Sequence, residues 1–245
     1  MKRISTKIVA IRIAIIISAS ELFIMLMLQA IPHQMGTYTV AVVDTVTLVL
    51  LTTPSIYLWV IRPFVVARDQ ALAQIRHMAL TDPLTQLANR RLIAEHLDKV
   101  IAACYRHKEH GAVLLIDLDE FKLINDQHGH EAGDAVLVEI SRRLRTCVRS
   151  VDVVGRMGGD EFIVLIDRLD SNTKIARDTV LNLANKLIAM IMMPVEFNEM
   201  VLHVGASIGI RLLGYEQLDT DTAISEADSA MYRAKQAGRG CAAFY

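Results

Sequence analysis

Cysteine is scarce in this 245-residue chain, and positive charge is not in excess. Cys104, Cys147 and Cys241 lie far apart and form no CxxC pair. That excludes a disulfide framework or a cysteine-built zinc site and fits small apolar core residues in a reducing compartment. His128-Gly129-His130 has no third nitrogen or sulfur ligand near it in sequence, so it is not a metal site of that kind either. Lys and Arg total 26 against 27 Asp and Glu. A chain so balanced does not bind nucleic acid through general electrostatics. Acids are nearly absent from residues 1–62, where Glu21 and Asp44 stand against Lys2, Arg3, Lys7, Arg12 and Arg62. The remainder, with 21 basic and 25 acidic residues, reads as a slightly acidic globular segment long enough for one domain with its own core.

The excess hydrophobicity is therefore local. Ile13 to Ile31 is an apolar stretch broken by Glu21 and Gln29, and Tyr38 to Ile61 is a second. Each approaches the roughly 20 residues a helix needs to cross about 30 Å of hydrocarbon. The seven residues from Ile31 to Thr37 are a turn too short to fold by themselves, and Pro63 reads as the end of the second span. Lys2, Arg3, Lys7 and Arg12 before the first span, and Arg62, Arg68 and Arg76 after the second, place both ends on the cytoplasmic side. Tyr57 and Trp59 fall where an interfacial aromatic belt would lie. The competing reading is a cleaved leader with Ser18-Ala19-Ser20 as its small-residue site; a second span directly behind it favours a hairpin. Glu21 and Asp44 at membrane depth are functional candidates, with a span boundary or a helix partner as the plainer account. Phe64 to Leu80 reads as a helical linker, with Val65, Leu72 and Ala79 seven residues apart, two heptads at best. The organisation is thus 1–62 a transmembrane hairpin, 63–80 a linker, and 81–245 one domain.

In that domain, Thr81-Asp82-Pro83-Leu84-Thr85 has a cap-and-proline start, and Asn89-Arg90-Arg91 opens an amphipathic helix. Ala112 to Leu118 is a solidly apolar run carrying Asp117 and followed by Asp119, which predicts a buried central strand. Helical spacing follows over Ala135–Val148, near Ile175–Met192 and over Ala223–Ala237, with a strand over Leu202–Leu212. Arg156-Met157-Gly158-Gly159-Asp160-Glu161-Phe162 lies between apolar runs and reads as a hairpin over 153–166, since glycine reaches the positive-φ geometry of a tight turn. Two adjacent acids past that turn cost stability unless a cation or substrate proton compensates them, which points to a metal-dependent site.

Asp117-Leu118-Asp119-Glu120-Phe121-Lys122, then Asn125-Asp126-Gln127-His128-Gly129-His130-Glu131-Ala132-Gly133-Asp134, then Gly158-Gly159-Asp160-Glu161-Phe162 resembles the GGDEF family of bacterial diguanylate cyclases. Asp82-Pro83-Leu84-Thr85 with Asn89-Arg90-Arg91 matches its opening. Ser207-Ile208-Gly209 and Ala227-Asp228 through Met231-Tyr232-Arg233-Ala234-Lys235-Gln236-Ala237-Gly238-Arg239 match its end. The match runs in order and spacing over about residues 79–245. It implies an α/β fold with a five-stranded, mainly antiparallel, palm-like (nucleotide-cyclase-like) sheet wrapped by helices. It also implies condensation of two GTP into cyclic di-GMP with release of pyrophosphate.

The residues agree with that chemistry. Attack of a 3′-hydroxyl on an α-phosphate needs cations held by hard oxygen ligands. Asp117 and Asp160, with the Leu118 carbonyl, could hold two Mg²⁺ or Mn²⁺ per GTP. The family places Asp160 nearest the attacking hydroxyl and Glu161 beside the neighbouring metal. Taken alone, Asp117 could be a plain turn acid. Asn125 and Asp134 could read a guanine edge, since both accept from its N–H groups; an Asx turn and a helix first-turn acid are the plainer alternatives. His130 follows the family as a pocket residue. Lys235 and Arg239, one turn apart on the last helix, could meet phosphates or simply solvate a helix end, and Phe121 and Lys122 would offer backbone N–H groups to the triphosphate.

Arg149-Ser150-Val151-Asp152 alone would be an ordinary surface ion pair. At its distance ahead of Gly158 it resembles the family's inhibitory site, where Arg149 and Asp152 grip the product. Gln86, Ala88, Met157 and Gly240 depart from the family's usual residues, and none removes a ligand. The expected protein is a membrane-anchored homodimer at the bacterial inner membrane, its catalytic domain in the cytoplasm. GTP is its substrate, and cyclic di-GMP is both product and inhibitor. The alternative is a non-catalytic cyclic di-GMP receptor or signalling scaffold, a type that usually lacks the acids this chain keeps at 117 and 160. The input signal is not written in the sequence.

Overall fold

The computed structural model describes residues 6–29, 36–216 and 218–245, except for the side chains of 6, 7, 37 and 71–79. The expected turn after Ile31, the charges of Lys2, Arg3 and Lys7, and most of the 65/72/79 spacing lie outside the described residues. The chain divides into two compact units, residues 1–76 and 77–245.

The first unit is helical: α1 (Thr6–Gln29), α2 (Thr37–Ile56), a π-helical turn over Tyr57–Ile61, and α3 (Arg62–Leu80). Ile8–Gln29 and Tyr38–Gln70 are long and apolar enough to cross a bilayer. Ile16, Ile24 and Val60 are buried, and most other large apolar side chains of this unit face outward. Pro63, read from the sequence as the end of the second span, does not interrupt the helix, which runs on through the expected helical linker. It cannot donate to the carbonyl of Trp59 four residues back. That carbonyl instead accepts from Arg12 Nη1 at 3.1 Å, and the helix continues.

The second unit is a mixed sheet with helices on both faces. Its strands are β1 (Ala88–Asn89), β2 (His110–Asp119), β3 (Val153–Gly158), β4 (Glu161–Leu169), β5 (Val195–Phe197), β6 (Met200–Leu202), β7 (Gly205–Leu213) and β8 (Ala242–Phe244). Its helices are α4 (Arg90–His107), α5 (Phe121–His128), α6 (His130–Cys147), α7 (Thr173–Ile191) and α8 (Thr220–Gln236). The main sheet has six strands, not five, in the order β1-β3-β4-β2-β7-β8, and β5-β6 form a separate hairpin. The interior pairings β3/β4, β4/β2 and β2/β7 are antiparallel, as expected. The short edge strands β1 and β8 pair in parallel, so the sheet is mixed.

Strand alternation sorts the core into two layers. Leu114, Ile116, Phe162, Val164, Ile208 and Ile210 pack with residues of α5, α6 and α7. Val113, Leu115, Ile163 and Leu165 pack beneath Ile93, Leu97, Val100 and Cys104 of α4 and Ala223, Ala227 and Met231 of α8. Gly209 lets β7 and α8 touch. A Cβ there would lie 2.0 Å from the Ala227 carbonyl oxygen and 2.3 Å from the Met231 nitrogen. The same alternation, carried two residues past Leu115, puts Asp117 on the α8 side, and carried back two from Ile163 it puts Glu161 there too.

Candidate active site

Asp117 of β2 and Glu161 of β4 are register partners, directly opposite in the antiparallel ladder. Like charges so placed repel, and both are drawn partly out of water. Burial pushes the Asp117 pKa up, and Asp160 and Asp119 push it further. Burial likewise raises Glu161, reinforced by Asp117, Asp228 and Asp160. Lys235, arriving from α8, opposes both and meets Asp117 Oδ2 at 2.8 Å.

The turn carrying Asp160 is held from three directions. Gly158 and Gly159 take φ of 147° and 55°, backbone that disfavours a side chain. The Leu118 N–H of β2 donates to the Asp160 carbonyl at 3.3 Å. Arg156 donates to the Gly159 carbonyl through Nε at 2.9 Å and Nη2 at 2.7 Å, while its Nη1 meets Asp82 Oδ1 at 3.1 Å. Asp82 also accepts from the backbone N–H and hydroxyl of Thr85. Burial raises the Asp82 pKa, but these bonds from Thr85 and Arg156 leave it below the ordinary range. Neither Arg156 nor Asp82 was singled out from the sequence as a site residue. Their 74-residue separation hides the pairing, and an arginine just before a glycine turn was the available signal.

Asn125 and Asp134 sit on neighbouring helices: Asn125 is half-buried on α5, Asp134 exposed in the second turn of α6, and His130 exposed at the start of α6. Phe121 and Lys122 form the first turn of α5, where helix geometry leaves backbone N–H groups without intrahelical acceptors. Glu120 precedes them in the left-handed conformation, φ 60°. Lys235 and Arg239 do not share a helix. α8 ends at Gln236, and Arg239 lies in a Gly238-Arg239-Gly240 turn with φ of 119°, 64° and 59°. Arg239 borders a cleft of about 580 Å³ with Asp119, Glu120, His128 and His203. Lys235 borders another of about 500 Å³ with Glu161, Asp228 and Tyr232. Asp119 is structural: its oxygens accept from Ser207 Oγ at 2.8 Å and the Gly240 N–H at 3.1 Å.

Arg149 and Asp152 lie in one turn after α6. Asp152 Oδ2 accepts from the Arg149 backbone N–H at 3.0 Å, and its Oδ1 is buried without a hydrogen-bond partner among the described residues. Burial pushes the Asp152 pKa up. The Arg149 side chain is exposed beside an open cleft of about 500 Å³ that Arg145, Val153 and Val154 also line.

Among the described residues, no three His, Cys, Asp or Glu side chains form a complete metal cage. The acidic end fits a divalent cation in another way. Asp117 and Glu161 face each other at a cost that added positive charge would remove, and the Leu118 carbonyl and the Asp160 turn adjoin them. Phosphate oxygens would complete such a coordination shell.

Residues 79–241 match the family described as diguanylate cyclase, GGDEF domain. The diguanylate cyclase TpbB of Pseudomonas aeruginosa is 41% identical over 170 residues, 69% of this chain and 38% of that protein. The bifunctional diguanylate cyclase/cyclic di-GMP phosphodiesterase MucR of the same species is 37% identical over 176 residues, 72% of this chain and 25% of that protein. The chain thus spans well under half the length of these relatives. The solved GGDEF domain of TpbB superposes with a TM-score of 0.63 at 37% identity, covering 67% of this chain and 93% of that one. The chain belongs to the GGDEF-domain family of diguanylate cyclases.

Proposed function

We propose that this chain joins two GTP into one cyclic di-GMP, releasing two pyrophosphates. The observation that carries the reading is the Asp117–Glu161 cross-strand pair beside the Asp160 turn, two carboxylates set opposite each other where burial and neighbouring acids disfavour their charge. Asp117, Asp160 and the Leu118 carbonyl would hold divalent cations, Mg²⁺ or Mn²⁺, two per nucleotide, with Glu161 supporting one of them. When bound, such cations neutralise phosphate charge and make the 3′-hydroxyl more acidic.

The protein's own groups do the rest. Asn125 and Asp134 accept from the guanine edge, with His130 at the pocket rim. The Phe121 and Lys122 N–H groups and the α5 N-terminus take phosphate oxygens. Lys235, paired with Asp117 in the free protein, exchanges that carboxylate for phosphate, and Arg239 approaches from its own turn. Asp160 lies nearest the attacking hydroxyl. Each domain binds one GTP, and one active site cannot close the ring alone, so two chains face each other as a homodimer. The two apolar helices anchor the protein in the inner membrane with the domain on the cytoplasmic side, which makes dimer geometry a natural point of control. Arg149 and Asp152 bind cyclic di-GMP and limit its synthesis.

Purified full-length protein in lipid, given Mg²⁺ with GTP or ATP, tests the reading. Cyclic di-GMP from GTP and no product from ATP is the expected result. Cyclic di-GMP binding without turnover would replace the enzyme with a receptor, and a monomeric cyclic nucleotide would replace the reaction.

A further inference from the structure

Gly133 lies in the first turns of α6 and is buried. A Cβ built on it would stand 2.0 Å from Asn125 Oδ1, 2.9 Å from Asn125 Cγ and 3.1 Å from Phe121 Cζ. All three are side-chain atoms. The contrast with Gly209 is instructive, since there the colliding atoms are backbone of α8 and the helix itself would have to move. At Gly133 the nearest obstacle is a carboxamide that rotates about two torsions. An added methyl would displace the Asn125 amide and press the Phe121 ring back by a few tenths of an ångström, side-chain shifts that require no movement of either helix backbone. It also removes a glycine from a helix interior, which by itself favours folding.

We infer that Gly133 is a specificity-determining position: its bare Cα is the seat that holds the Asn125 carboxamide against the start of α6, next to Asp134. The inference rests on the proposed reading of guanine by Asn125 and Asp134. Gly133 touches no substrate; it acts through Asn125 and is a positioning residue. With the amide seated, its oxygen and the Asp134 carboxylate stand on adjoining elements, suited to the N1–H and 2-amino group that guanine presents together. With the amide displaced, the acceptor for the 2-amino group is lost while the phosphate groups keep their partners. The variant protein then discriminates poorly between guanine and hypoxanthine, which lacks that amino group.

The test uses the full-length protein in lipid and compares GTP with inosine triphosphate, by equilibrium binding and by kcat/KM. Gly133→Ala is expected to unfold at or above the wild-type temperature. Its preference for GTP is expected to fall by about tenfold, the worth of roughly one hydrogen bond, with inosine triphosphate handled as before. Asn125→Ala loses the same preference, and the double variant loses nothing more, because both changes remove one contact. Three results overturn the inference: an unchanged preference in Gly133→Ala, a lowered unfolding temperature, or additive losses in the double variant. If Asn125→Ala keeps the full preference, the guanine-reading assignment itself fails and the seat fails with it. If only Gly133→Ala is without effect, the base-reading stands and the seat alone is wrong.

Discussion

Arg143 and Glu139 on α6, and Asp117 and Glu161 at the end of the central strands, are both charged groups drawn from water, and they are built in opposite ways. The Arg143 guanidinium, with only 7% of its side chain exposed, pairs with Glu139 at 2.8 Å. It also donates to the carbonyls of Met190, Ile191, Met193 and Pro194 at and beyond the end of α7. Those are the carbonyls a helix leaves without partners, so one side chain closes a helix end and locks it to α6. The Glu139 pKa is held down at about 2, first by its bond from Arg142, then against the effect of burial by Arg143. At the acidic end the pKa shifts run upward instead. A satisfied network serves the fold; at the acidic end Lys235 offsets burial and the neighbouring acids only in part, so its charge is left unsatisfied.

The largest expected break falls on the unsatisfied side. Asp160→Ala should lower cyclic di-GMP synthesis by at least about 10²–10³-fold, the cost of losing a group that acts on the transition state, while the circular dichroism spectrum stays unchanged. On the satisfied side, Arg143→Met should cost about 3 kcal/mol by orphaning the α7 carbonyls and leaving Glu139 with Arg142 as its arginine partner. For a domain of this size that is a fall of roughly 6–12 °C in the unfolding midpoint, with activity per folded molecule retained. Arg149→Ala should raise the cyclic di-GMP concentration needed for half inhibition by about tenfold, the loss of a charge-assisted contact, with the initial rate intact.

The smallest effects are the sharpest on the comparison, because their signs differ. Glu161 has a raised folded pKa, so its ionised form weakens the fold at neutral pH. Glu161→Gln should therefore unfold at a higher temperature than wild type at pH 7, and the gap should close as the pH falls through the folded pKa toward the ordinary glutamate range. Glu139 has a lowered folded pKa, so its contribution is present above its usual value and lost as the pH falls toward 2. Glu139→Gln should be less stable than wild type at pH 7, and that deficit should vanish in acid. Thermal unfolding of both variants from pH 2 to 8 checks the two signs together.

The sequence carried the central strands clearly, because their apolar runs are long and both faces are covered. The same alternation makes the Asp117 and Glu161 positions legible once the register is known. The edge strands escaped: Ala88–Asn89 and Ala242–Phe244 are too short to show a period, and neighbouring strands hold them more than their own residues do. α5 was missed because eight residues give barely two turns of pattern. Most of the strand expected over Leu202–Leu212 is β7, which starts at Gly205, while Leu202 ends the β5-β6 hairpin. Arg239 was placed on α8 by spacing, yet the helix stops at Gln236 and Gly238 and Gly240 turn the chain. The Arg156–Asp82 tie and the Gly133 seat are relations between distant or bare positions, which no local spacing encodes.

The most direct test of the central claim is Mn²⁺ binding followed by electron paramagnetic resonance in full-length protein, with and without a non-hydrolysable GTP analogue. The account predicts tight, nucleotide-dependent Mn²⁺ uptake that Asp117→Asn and Asp160→Asn each weaken severely, while Arg143→Met leaves it unchanged in the folded fraction. Uptake indifferent to both aspartates would contradict it.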